Sequence, residues 1–308
     1  MKSNNAAVLS FAEKCKNILS SNWQAQLHTI KGNAVGSEDI YNSKVKYIMM
    51  GGRPYVWIPR EDLHNMNAMF DERGSLSVAS PYPGALGKLL KLINKFPSRV
   101  AMAGEIVPVS DKKAGEVAEC VKEFIRTEEQ MVQGSSHAVH SLIGSSNMAA
   151  TSRSYNLKEL VDSADMYSVY KFNIRKCMFM DAQGFNGEVD VKEMNSAEVD
   201  PLALWCSSLV DGINRSESRR RALILFCLGY MNANVRDALL TGVDRKGMEV
   251  MGKVPARGVE HGDGYQWKDF RVLFPEEAPD LESLCHTLLH MEHHVVTHLL
   301  KHSGLDLT

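Results

Sequence analysis

No apolar run in these 308 residues approaches the roughly 20 needed to cross a bilayer. The longest, Ala222 to Tyr230, follows Arg219, Arg220 and Arg221, so no membrane span is expected. Excess charge of either sign is also lacking: 35 Lys+Arg stand against 37 Asp+Glu, a net charge of −2. Nucleic acid is therefore not an expected partner. The cysteines, Cys15, Cys120, Cys177, Cys206, Cys227 and Cys285, include no CxxC and no close pair. That pattern excludes a disulfide scaffold and reads as reduced, buried thiols. Walker A, GxGxxG, GxSxG and HExxH patterns are absent, and the catalytic residues stay unassigned. Residues 1–20 show no secretory pattern, and with Glu13 and no Arg they show no transit-peptide pattern either.

Hydrophobic residues at 44% and charged residues at 23% describe an ordinary globular chain. Its length predicts two domains at about 150 residues each. An amphipathic N-terminal helix carries Val8, Phe11, Cys15, Ile18 and Leu19 on one face. Trp23, Ala25 and Leu27 alternate with polar residues as in a half-buried strand. Val45, Tyr47 and Met49 mark a second strand, Gly51-Gly52 a tight hairpin, and Tyr55 to Ile58 a third strand. A short helix over Asp62 to Phe70, closed by Gly74, comes next. Strands at Leu76–Val78 and Val100–Ile106 flank a helix over Leu86 to Phe96, and a helix with Val117, Val121, Phe124 and Ile125 follows. Residues 134–154 hold seven serines and few large apolar groups, and read as a flexible insertion. His137, Val139, His140, Leu142 and Ile143 within it have the makings of a short helix. Strands at Tyr167–Ile174, Cys177–Met180 and Val189–Val191 complete a set suited to a small closed barrel.

Composition shifts at Asp200-Pro201, an N-cap followed by a first-turn proline. A helix with Leu202, Trp205, Leu209 and Ile213 leads to a helical region from Glu217 to Leu240, broken near Asn232. Strands at Thr241–Val243, Met248–Val254 and Trp267–Phe274 precede a terminal helix over Pro279 to His302. The expected fold class is α+β: a β-barrel domain over 1–196, then a small domain over 197–308 in the order α-α-β-β-β-α.

Three stretches carry a resemblance: Val45–Ile58 with Gly52-Arg53-Pro54-Tyr55-Val56; Leu63-His64-Asn65-Met66-Asn67, running on to Asp71–Leu76; and Arg99–Glu105. Together they resemble the FMN-binding split barrel of pyridoxamine 5'-phosphate oxidase-like proteins. The spacing of His64 and Asn67 is similar to a motif of its haem-degrading branch. Tyr230–Val235 and Thr241–Gly247 resemble the small α/β domain that often follows this barrel. The combination looks most like plant plastid members, which implies a plastid location, with the cytoplasm as the alternative. The resemblance also implies a homodimer with a cofactor cleft between subunits, FMN or haem as cofactor, and a plastid protein partner. Two functions follow. One is a binding or regulatory module, as in plastid relatives that bind glutamyl-tRNA reductase. The other is an FMN- or haem-dependent oxidoreductase.

The departures favour the module. Flavin enzymes often carry Lys or Arg, which grip the FMN phosphate, where this chain has His64 and Met66. A dianionic phosphate needs cations or clustered N–H donors. The candidate cofactor-binding residues are His64, Asn65 and Asn67, with Lys44 and Lys46 as substitute cations and Arg99 as a phosphate or propionate contact. Asn67 can instead tie its helix to a neighbouring strand. An apolar wall containing Tyr55 and Trp57 is expected to be covered by a second copy. His286, His290, His293, His294, His298 and His302 lie opposite the apolar face of the terminal helix. They read as a solvated face, and no metal site is expected.

Overall fold

The computed structural model describes residues 8–32, 39–82, 84–143, 147–256 and 264–303. Ser10 opens α1 (Phe11–Ser21) with a reciprocal cap: its hydroxyl accepts from the Glu13 amide while the Glu13 carboxylate accepts from its own. Cys15, Ile18 and Leu19 of this helix press on one end of the barrel. The barrel strands are β1 (Gln24–Ile30), β2 (Ile40–Met50), β3 (Arg53–Pro59), β4 (Arg73–Ala79), β5 (Arg99–Pro108), β6 (Tyr167–Met180) and β7 (Asn186–Val189). They pair in the order β3-β2-β1-β4-β5-β6-β7, and a β3–β6 pairing closes the first six into a barrel. Period-two alternation sends Leu27, Val56, Leu76, Val100, Met102 and Phe172 inward.

The sequence splits β6 into two strands, but in the structure it is continuous. Its first part pairs with β3, its last residues pair with β7, and its other edge follows β5. A bulge between Ala103 and Gly104 lets the two long strands bend around the barrel. Glycine is required there, since a Cβ on Gly104 would fall 2.0 Å from the Asn173 carbonyl oxygen. Gly51 and Gly52, at φ +58° and +77°, form the β2–β3 turn as expected.

Several expectations are corrected. The helix α2 (Leu63–Phe70) ends at Asp71, whose amide donates to the Asn67 carbonyl; Gly74 lies within β4. Val191 begins a helix, α7 (Val191–Ser196), capped by Asp190, because the Asp190 carboxylate takes up two free amides. Tyr55 and Trp57 are 6% and 2% exposed. They lie under Val117, Val121 and Ile125 of α4 (Asp111–Gln133) and under Leu157 and Leu160 of α6 (Asn147–Asp162). Helices of the same chain, not a second copy, cover that wall. The serine-rich stretch is helical on both sides of 144–146, which lie outside the described residues. Between α4 and α6 sits α5 (His137–Ile143), with Val139, Leu142 and Ile143 buried. Three large apolar side chains at helical spacing outweigh the serines around them.

The second sheet, in the order β10-β9-β8, comprises β8 (Asp237–Asp244), β9 (Gly247–Pro255) and β10 (Tyr265–Leu273). It packs with α8 (Cys206–Arg215), α9 (Glu217–Met231) and α10 (Leu281–Ser303). This is the α-α-β-β-β-α order read from the sequence. The helical stretch stops well short of Leu240, because Asn232 adopts a left-handed conformation, φ +48°, and turns the chain into β8. Leu86 and Leu90 of α3 (Gly84–Leu92) and the buried face of α5 belong to this second core. The two cores therefore do not divide cleanly at residues 196 and 197.

Candidate functional site

Asp62 caps α2 by accepting from the His64 amide at 2.9 Å. The helix then turns His64 and Asn67 toward the barrel and Met66 outward. His64 is wholly buried, 0% exposed, and Asn67 is 4% exposed. Both meet Thr29, an inward residue of β1. Asn67 Nδ2 donates to Thr29 Oγ1 at 2.9 Å, and Asn67 Oδ1 accepts from the Gly32 amide at 3.1 Å. Thr29 Oγ1 lies 2.8 Å from His64 Nδ1, and Ser43 Oγ of β2 lies 3.1 Å from His64 Nε2. The Tyr41 ring leans on the imidazole with centroids 4.7 Å apart.

Burial lowers the His64 pKa to about 4, with nearby His28 acting in the same direction against Asp62. The ring is therefore neutral at pH 7 and carries one N–H. One assignment satisfies every partner: Asn67 donates to Thr29, Thr29 donates to Nδ1, and Nε2–H donates to Ser43. This chain of hydrogen bonds ties α2 to β1 and β2. It leaves no ring nitrogen lone pair for iron and no positive charge for a phosphate.

The other expected site residues are dispersed. Asn65, in the first turn of α2, ties the helix to the turn before it: its Nδ2 donates to the carbonyls of Pro59, Arg60 and Asp62, and its Oδ1 accepts from the Tyr170 hydroxyl. Lys44 is exposed, on the strand face opposite Ser43. Lys46 shares that face and pairs with Glu159 of α6 at 3.1 Å. Arg99 starts β5 at the other end of the barrel, where its Nε contacts the Met180 sulfur. His64 and Asn67 thus share one network, and no phosphate grip forms from the lysines and Arg99. Thr29 and Ser43 are the members that sequence reasoning missed; a hydroxyl at an inward position of an alternating strand was the available signal.

On α10, His286, His290, His293, His294 and His298 are exposed, as expected, while the side chain of His302 lies outside the described residues. No metal-holding group of three or more His, Cys, Asp or Glu occurs among the described residues. No described helix is long and apolar enough to cross a membrane.

Around the His64 network the outer face of α2 is apolar. Leu63, Met66, Met69 and Phe70 are 47%, 51%, 85% and 69% exposed, and Ile40 at the start of β2 is 63% exposed.

No family model and no curated protein matches the chain. Among solved structures, a haem-binding protein from Mycobacterium smegmatis is 18% identical, with a TM-score of 0.55 over 94% of this chain and 99% of that one. A protein of unknown function from Agrobacterium tumefaciens aligns over 93% of this chain and 98% of its own, at 13% identity and a TM-score of 0.38. ChuZ from Campylobacter jejuni covers 60% of this chain and 62% of its own, at 12% identity and a TM-score of 0.39. The last two scores fall below the level from which a shared fold follows. The mycobacterial likeness extends through both domains, and the six-stranded closure and the helix-flanked second sheet agree with it. The chain shares the fold of that mycobacterial protein, here a six-stranded split barrel followed by a small α+β domain, the fold class expected from the sequence.

Proposed function

We propose that this chain is a split-barrel binding module and not a flavin oxidoreductase, and that its contact surface is the exposed face of α2. The observation that carries this reading is the state of His64: buried, neutral and hydrogen-bonded at both ring nitrogens. In the flavin enzymes that the chain resembles, the positions matched to His64 and Met66 often carry Lys or Arg, which grip the phosphate. Here the first is an internal strut and the second an exposed thioether with no donor. FMN therefore does not fit the residues present at that place. An axial haem bond from His64 would require breaking at least one of its two side-chain hydrogen bonds. Any haem held by this fold would rest on apolar contact with α2 or on a ligand elsewhere.

The α2 face suits a second copy of this chain: Leu63, Met66, Met69 and Phe70 form an exposed apolar surface along one helix that favours being covered. The homodimer, the plastid location and a plastid protein partner are parts of this proposal that rest on the family resemblance. The test is an absorption titration of the purified protein with FMN and with haemin, alongside light scattering. The expected result is a dimer that leaves the flavin spectrum unperturbed at micromolar protein. Stoichiometric FMN binding with turnover of a reduced flavin would overturn the reading.

A further inference from the structure

The second core contains a cavity of about 250 Å³ between α5, α9 and α10. Its wall is apolar: Leu142, Ile213, Leu223, Phe226, Met248 and Leu288 supply most of it. The polar groups that line it are Ser141, Arg219, Cys285 and Glu292. Arg219 is held in place by donating from Nη1 to the Gly212 carbonyl at 3.2 Å and from Nη2 to the Ser141 carbonyl and hydroxyl at 2.7 and 2.8 Å. Those acceptors are neutral. The next two residues, Arg220 and Arg221, pair with Asp237 and Glu217, whereas among the described residues no carboxylate pairs with Arg219. Burial disfavours its charge. A fixed guanidinium beside an apolar cavity, partly desolvated and without an anion, is a receptor for a carboxylate on a hydrocarbon tail. Glu292 is exposed on the solvent side of α10 and would oppose the same head group near its own carboxylate. That directs the head toward Arg219 and α5.

We propose that this cavity binds a small amphipathic monocarboxylate, its alkyl chain among the α5, α9 and α10 side chains and its carboxylate on Arg219. The volume accepts a short alkyl chain, and no lining residue belongs to α2 or to the His64 network. The probe is decanoate, titrated calorimetrically into the full-length protein, with decylamine and decanol as head-group controls. Two variants accompany it. Arg219→Gln removes the charge; Ala138→Trp places a large ring at the mouth, where Ala138 is exposed, and leaves every named hydrogen bond intact. The expected result is one-to-one binding of decanoate that also slows alkylation of Cys285, which is 8% exposed in the cavity wall. Affinity should fall roughly ten- to a hundredfold in Arg219→Gln, the loss of one charge-assisted contact, and disappear in Ala138→Trp. No saturable binding at millimolar decanoate, equal binding of decylamine, or affinity unchanged in the variants would overturn the proposal.

Discussion

Thr29 Oγ1 on β1 stands 2.8 Å from His64 Nδ1 on α2, and the same oxygen accepts from Asn67. One hydroxyl therefore fixes the two side chains that make this stretch look like a cofactor motif. Thr29→Val keeps the shape and removes the hydroxyl. It strands the Asn67 amide and the imidazole nitrogen in a site with no access to water. Each buried unsatisfied group costs about 1–3 kcal/mol, so the variant, with two, should lose about 2–6 kcal/mol in denaturant unfolding. A loss under about 0.5 kcal/mol would show that the network bears no load.

The depressed His64 pKa sets a pH dependence with a definite sign. Above about pH 6.5 the imidazole is neutral in the folded and unfolded chain, and its network contributes fully. Below that, the unfolded chain binds a proton that the folded chain refuses until about pH 4. Stability should therefore fall with acidification across this window, by up to about 1.4 kcal/mol per pH unit from this residue. His64→Gln cannot take the proton. Stability curves from pH 8 to pH 4 for the two proteins should converge as pH falls, and parallel curves would contradict the assignment.

Arg245, in the turn between β8 and β9, joins the two domains. Its guanidinium reaches Glu13 of α1 at 2.7 Å, Asp200 at 3.2 Å and Glu277 at 3.3 Å. Asp200 is 1% exposed, and burial raises its pKa. Arg245→Ala leaves that carboxylate with only backbone donors, from Leu202 and residue 245. Removing one partner of a buried pair costs about 3–5 kcal/mol. A loss near the lower figure is expected in chemical denaturation, since Arg245 is partly exposed. Unchanged stability would remove the clamp from the picture.

Much of the architecture was legible because it follows from local pattern. Alternation in β1, β2, β4 and β5 and the Gly51-Gly52 turn depend only on residues close in sequence, whereas the helix expected to start at Asp200 begins at Cys206 after Trp205, and Asp200 instead accepts from the Leu202 amide in the turn before it. The α-α-β-β-β-α order was readable for the same reason. What escaped depended on partners distant in sequence. The apolar face of α5 lies in the second core, and nothing near it in sequence announces that packing. Tyr55 and Trp57 read as an open wall because α4 and α6, which cover them, come more than fifty residues later. The site residues were legible as residue types but not in their roles. His64 is a ligand or a strut depending on whether Thr29 and Ser43 face it, and both lie on other elements.

Met69, 85% exposed at the end of α2, offers the test of the contact surface. Its side chain is not part of the barrel core, so Met69→Glu should fold normally. If α2 pairs two copies, multi-angle light scattering should report a dimer for the native chain and a monomer for the variant. A native monomer at micromolar concentration, or a dimer indifferent to the charge, would show that α2 is not the interface.

The central claim is that His64 is an internal strut, and nitrogen NMR of the imidazole tests it most directly. The predicted spectrum is that of a neutral ring protonated at Nε2, unchanged between pH 8 and pH 5 and unchanged when FMN or haemin is added. A ring that titrates near pH 6.5, or whose nitrogen signals move on adding either cofactor, would contradict it.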